Sequence, residues 1–239
     1  MMMMKICALL LFICTILITI VICVIVRVRV IRQLYDYTST YDGTIVIAAC
    51  GDDINVQQIK KMGTRARIWV YNKCDNLKDK TAINLPNVGR DFHTFLYHIV
   101  TQYEYLPEGR IIFTASTLNK HNRLKRLQHL MNFDGDCFCD WGHGTQSIRS
   151  IWNDWTKNSY DGTQLLPAVP RGFRSWCRTH LGDIDTSSKR CGNGTFLTTG
   201  ARIRNRPLAF YVSLLNQLRT HNAPEAVHYM ERVTAHIFM

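Results

Sequence analysis

Asp91–Thr114 reads DFHTFLYHIVTQYEYLPEGRIIFT. Its apolar residues Phe92, Phe95, Leu96, Ile99, Val100 and Tyr103 recur at helical spacing and make one continuous face. Leu106-Pro107-Glu108-Gly109 ends the pattern, and Arg110–Thr114, RIIFT, is an unbroken apolar run of buried-strand character. A helix running at once into a buried strand is half of a βαβ unit. The stretch therefore argues for an α/β fold before any other part of the chain is read.

Two similar strand runs lie upstream: Thr44–Cys50, TIVIAAC, and Arg67–Tyr71, RIWVY, with a short helix candidate at Asn55–Met62 between them. Strands that are apolar throughout and alternate with helices predict a Rossmann-like, mostly parallel sheet with flanking helices, here over residues 44–239. Downstream, Leu118–Met131, Arg206–Arg219 and Pro224–Phe238 are helix candidates, whereas the Trp- and Gly-rich stretch 140–182 has weak periodicity. Such sheets bind ligands at the carboxyl ends of their strands. Gly51-Asp52-Asp53, Tyr71-Asn72-Lys73 and Thr114-Ala115-Ser116 fall at those ends.

The mouth of the opening helix carries Asn87, Gly89, Arg90 and Asp91. Taken alone, Asp91 complements the helix dipole and Gly89 supplies a turn of positive φ. Arg90 changes the reading, because an arginine beside a helix N-terminus makes an anion site. Asn87 adds an amide able to read a base or sugar edge. Asp52, Asp53, Asn72 and Lys73 join the group as candidate nucleotide-binding residues from the strand ends. Near the carboxyl end of the chain, Glu231 is either half of a structural pair with Arg232 or a general base in the cleft.

Asp134-Gly135-Asp136 is a short paired-carboxylate motif able to hold Mg²⁺ or Mn²⁺ against a diphosphate, and equally natural as a solvated turn. Cys137, Cys139 and His143 could begin a zinc site but lack a fourth ligand. Lys120, Arg123, Lys125 and Arg126 read as a solvated basic face, so nucleic acid is not the expected partner.

The chain has 239 residues, 46% hydrophobic and 20% charged, with a formal net charge of +11. This composition excludes a disordered polypeptide and favours anionic ligands. Ile6–Val26 holds no charge, glycine or proline, long enough to cross a ~30 Å hydrocarbon core. Residues 1–32 are therefore expected to form one uncleaved transmembrane anchor, with residues 33–43 as a polar linker. Arg27, Arg29 and Arg32 follow the apolar run and Lys5 precedes it, which by the positive-inside rule predicts a single-pass protein with a cytoplasmic body. Six cysteines lie outside the anchor with no dense framework, and Asn193-Gly194-Thr195 is a glycosylation acceptor usable only in a lumenal body.

Leu85–Pro107, LPNVGRDFHTFLYHIVTQYEYLP, resembles a block shared by a family of uncharacterised proteins in fungi and large DNA viruses. Val70–Lys73, Gly194–Leu218 and His228–Phe238 resemble further blocks of that family. The family is in turn similar to GT-A glycosyltransferases. The resemblance implies a nucleotide-sugar donor, a glycan or protein acceptor, Asn87, Gly89, Arg90 and Asp91 facing the donor, and Glu231 near the acceptor. The chain departs from the pattern in three places, the first being Ala115-Ser116 where the family's third strand often ends in Gln-Gly. Gly51-Asp52-Asp53 stands where the family tends to an Asn-Glu pair, and no Asp-x-Asp follows RIIF. A catalytically inactive binding or scaffold protein on the same fold is the rival expectation.

Overall fold

The computed structural model describes residues 18–22, 24, 41–51, 53–62, 65–75, 77–119, 122–139, 164–184 and 194–238. The chain divides into two compact units, Met1–Thr38 and Ser39–Met239. In the first, residues 18–22 and 24 are helical and exposed. Among the described residues no helix is long and apolar enough to cross a membrane, and most of the expected anchor lies outside them.

The second unit is an α/β body around a six-stranded mixed sheet of order β3-β2-β1-β4-β6-β5. Its strands are β1 Thr44–Ala49, β2 Arg67–Asn72, β3 Ile83–Asn84, β4 Arg110–Ala115, β5 Phe138–Cys139 and β6 Phe196–Thr199. Strands β1, β2, β3 and β4 are parallel, as the apolar runs predict. β6 pairs antiparallel to β4 and β5 antiparallel to β6, so the far edge is mixed.

The pleat explains the two cores. Val46, Ala48, Tyr71, Ile111, Phe113 and Phe196 enter one apolar cluster, and their chain neighbours Ile45, Ile47, Val70, Ile112 and Leu197 enter the other. Helices α1, Asp53–Met62, and α3, Arg123–Asn132, cover the second face through Val56, Ile59, Leu127 and Leu130. The first face is covered by α2, Arg90–Gln102, with α4, Phe173–Leu181, α6, Leu208–Asn216, and α7, Glu225–Arg232. A short α5, Gly200–Arg204, follows β6, and α8, Thr234–Phe238, closes the chain. Phe92, Phe95, Leu96 and Ile99 of α2 are all buried, as the spacing in the opening stretch requires.

Four local readings change. Packing begins inside the segment read as linker: Tyr41 is buried and its hydroxyl donates to the carbonyls of Thr44 and Arg110. Pro224–Phe238 is two helices, because α7 stops at Val233. Arg206–Arg219 shrinks to α6, with α5 before it. The Trp-rich stretch contains α4, whose Trp176 is buried against Tyr229.

Candidate functional site

The chain runs from β1 outward through β2 to β3, then returns to β4 on the other side of β1. Such a reversal opens a crevice at the carboxyl ends of the strands between β1 and β4. β3 is only two residues long and parallel to β2, so the loop after it emerges on that same edge. This is why Val88–Asp91 meets the end of β2.

Lys73, directly after β2, is buried, and its ammonium donates to the carbonyls of Val88 and Arg90. Burial lowers its pKa to about 8, with the Asp91 charge acting against that fall. The strut shapes the helix mouth. Gly89 sits at φ 58° and its amide donates to the carbonyl of His221 at 2.8 Å. A Cβ here would stand 2.6 Å from Leu218 Cβ and 2.8 Å from the Leu218 carbonyl oxygen, so glycine is required for two separate reasons. Arg90 also has positive φ, at 47°. A disulfide, Cys50–Cys74, ties the ends of β1 and β2 beside Lys73.

Asp91 lies in the first turn of α2, whose N-cap, Gly89, has no side chain to cap it. Its Oδ2 stands 3.7 Å from Nη2 of Arg123, whose Nη1 donates to Thr117 Oγ1 just beyond β4. Gly194, before β6, lies over this pair: a Cβ there would be 3.3 Å from Asp91 Oδ2. Glu231, in the last turn of α7, faces the same group, with Nδ1 of His228 3.8 Å from its Oε2.

The two carboxyls are driven apart. Burial pushes Asp91 above the ordinary carboxylate range, Glu231 adds to the push, and Arg123, Lys73 and Arg90 only partly offset it. Burial acts on Glu231 in the same direction, but His228, Arg90 and Arg232 outweigh it and hold Glu231 below that range. Side-chain exposures of 33% for Asp91 and 39% for Glu231 leave both open to solvent, which screens part of these fields. Asp91 and Glu231 thus carry opposed shifts within one group of charges.

The structure thus brings Lys73, Gly89, Arg90, Asp91 and Glu231 into one place. It adds Arg123 and His228, which the sequence reading left out. Arg123, part of an expected solvated face, opens α3 and turns back to Thr117 and Asp91. His228 stands one helical turn before Glu231, a spacing visible in the sequence.

Other candidates fall elsewhere. Asn72 is buried in a structural role, donating to Asn84 Oδ1 at 3.0 Å and accepting from the Cys74 amide. Asn87 is exposed on the loop. Asp53 opens α1, and Asp52 lies outside the described residues. Asp134 and Asp136 are exposed and precede β5, which runs alongside β4 in the same direction through β6. They therefore sit at the opposite edge of the sheet, where Arg110 donates to the Phe133 carbonyl at 2.5 Å.

The expected Mg²⁺ or Mn²⁺ site is corrected on that geometry. The Asp134–Asp136 pair cannot serve the crevice, and Thr114-Ala115-Ser116 offers no carboxylate at the end of β4. Among the described residues no cluster of three His, Cys, Asp or Glu is placed to hold a metal. Cys139 is disulfide-bonded, so it is no zinc thiolate. Glu231 turns to His228, while the Arg232 guanidinium lies 5.6 Å from the Phe173 ring centre, as expected for adjacent helical residues that do not face each other.

Compared with known proteins, the chain matches no family, no curated protein and no solved structure.

Proposed function

We propose that the protein is a membrane-anchored glycosyltransferase of GT-A-like fold, transferring a sugar from a nucleotide donor to a glycan or protein acceptor. The observation that carries this reading is the meeting of Asp91 and Glu231 with Lys73, Arg90 and Arg123 at the strand ends beside the switch point. Three cations there suit a diphosphate, and the helix mouth adds its own positive end. In the proposed reaction, Glu231 accepts the proton of the attacking acceptor hydroxyl. The new C–O bond forms at the anomeric carbon as its bond to the diphosphate breaks. The nucleoside diphosphate leaves with the electron pair, its charge offset by Arg90, Arg123 and Lys73. Asp91 orients Arg123 and binds a donor hydroxyl.

The rival reading, an inactive scaffold on this fold, draws support from the displaced Asp134–Asp136 pair. One experiment separates them: a thermal-shift panel of UDP-, GDP- and dTDP-sugars on the full chain, followed by an assay for released nucleoside diphosphate. Stabilisation with turnover supports the transferase. Stabilisation without turnover under any acceptor supports the scaffold. No stabilisation removes the nucleotide reading.

For the body's location we propose an oxidising compartment. The Cys50–Cys74 bond and the bonded Cys139 support it, because disulfides persist there and are rare in the cytosol. The three arginines after the apolar run favour the opposite orientation, but Lys5 and the amino terminus before it weaken that bias. A glycosidase-sensitive mobility, lost in Asn193→Gln, is the expected result. Full protease sensitivity from the cytosolic side would reverse the assignment.

A further inference from the structure

Helix α7 begins with a carboxylate that the proposed transfer does not use. Glu225 is 0% exposed. Its Oε2 accepts from the Ala168 amide at 3.0 Å and lies 3.4 Å from Nε of Arg171. Its Oε1 is equally buried and, among the described residues, has no partner. A dipole contact or a latch for the 164–171 segment needs only one oxygen. Backbone pairing already holds that segment: Leu166 donates to the Ala223 carbonyl at 3.0 Å, and Glu225 donates to the Leu166 carbonyl at 2.8 Å. A buried acceptor without a donor is costly to leave unmade.

Glu225 lines a half-open pocket of about 180 Å³ with Gln164, Leu165, Pro167 and Arg171. That space is smaller than the ~300–1,000 Å³ pockets of drug-sized ligands and larger than one water needs. The charges of Glu225 and Arg171 offset each other, and the other lining residues are neutral, so the pocket favours an uncharged occupant. It offers a carboxylate acceptor, guanidinium donors, an amide with both, and an apolar wall of Leu165 and Pro167.

We propose that this pocket binds a neutral, hydroxyl-bearing ligand the size of one sugar ring, with Arg171 and Gln164 donating to its oxygens and a hydroxyl donating to Glu225 Oε1 once that side chain turns towards it. The site is separate from the crevice: Glu225 and Glu231 stand about 9 Å apart along the axis of α7. Binding here does not depend on transfer taking place.

The test is ligand-observed NMR on the full chain in a detergent without a sugar headgroup, with no nucleotide present. The probes are the methyl glycosides of glucose, galactose, mannose, xylose and N-acetylglucosamine. Saturable binding of at least one is expected, weakened roughly tenfold or more by Arg171→Ala. Arg171 is 56% exposed, and the variant's melting curve is read beside that of the wild type because removing Arg171 leaves the buried Glu225 carboxylate without its cation. Gln164→Ala, on the exposed rim, gives a second variant of the same kind. Three outcomes overturn the proposal: no probe binds at high millimolar concentration, binding is unchanged in both variants, or methylammonium displaces the sugar and shows a cation slot.

Discussion

Nη2 of Arg123 stands 3.7 Å from Oδ2 of Asp91, joining the first turn of α3 to the first turn of α2 across the strand ends. Gly89 occupies the N-cap position, so Asp91 contributes to the helix through the dipole, ~0.3–1 kcal/mol. Asp91→Asn should therefore leave the melting temperature nearly unchanged and abolish turnover. Arg123→Ala should weaken donor binding about ten- to a hundredfold, the worth of one charged hydrogen bond. Calorimetric titration with the donor that stabilises the chain checks both. Unchanged binding and turnover in the two variants would remove the site.

Glu231 gives a pH prediction. Its carboxyl is held below the ordinary 4.5 by surroundings that favour the charged form. As the proposed base it therefore remains ionised as the medium is acidified, and the acid limb of turnover should fall below pH 4.5. The same depression stabilises the fold above the unfolded value and is lost as pH falls through the folded one. Glu231→Gln should be inactive at every pH and, having lost that contribution, should melt slightly below the wild type above pH 4.5. Rate–pH profiles of the two proteins decide it, and an active Glu231→Gln would exclude the base role.

Gly89→Ala meets both a forbidden backbone region and the Leu218 carbonyl. A loss on the order of 1–3 kcal/mol is expected, since either strain alone is of that size. Urea unfolding of the two proteins measures it directly. A change below about 0.5 kcal/mol would mean that the helix mouth is looser than the close contacts imply.

His93 and His98 are buried on α2, and burial drops their pKa values to about 4 and about 3, with Lys73 and Arg67 respectively adding to the fall. Below 6.5 the unfolded chain takes up protons that the fold resists. The unfolded state thus holds more protons, and stability falls as pH drops from 6.5 towards 4. Each ring contributes at most about 1.4 kcal/mol per pH unit. His98→Gln retains an acceptor for the Tyr71 hydroxyl, now 2.9 Å from Nδ1, and should flatten the slope. Melting temperatures at stepped pH test this; an unaltered slope would assign the acid sensitivity to other groups.

Cys50 and Cys74 are 24 residues apart in sequence, and opening their bond should cost about 3 kcal/mol by loop entropy. The double variant Cys50→Ser, Cys74→Ser should lose that stability and also loosen Lys73, raising the donor's dissociation constant. Wild-type protein should show at least that loss on adding reductant, which also opens the bond at Cys139, read from the denaturation midpoint. A midpoint indifferent to reductant would argue against the bond.

Part of this arrangement was legible beforehand. The strands β1, β2 and β4 announce themselves because a parallel strand buried on both faces must be apolar throughout. Helix α2 is equally plain, since Phe92, Phe95, Leu96 and Ile99 can share a face only in a helix. Strand β3 was invisible, because Ile83 and Asn84 are two exposed residues with no period to read. Helix α4 was hidden by the weak pattern around Trp176, and the break at Val233 by the continuous apolar spacing of the two short helices. Asp134–Asp136 misled, because a paired carboxylate has the same local sequence whether it faces a ligand or bulk water.

By itself the sequence determined the α/β class of the body and which residues stand at the α2 mouth, because side-chain period and helix-start residues act over one or two turns of chain. Only the tertiary structure decided which of those residues meet. Lys73, Asp91, Arg123 and Glu231 come from four elements, and their distances depend on strand order and crossover direction, which local pattern does not encode. The same holds for the opposed pKa shifts of Asp91 and Glu231. These arise from burial and from charges supplied by remote segments, and neither exists until the sheet has assembled.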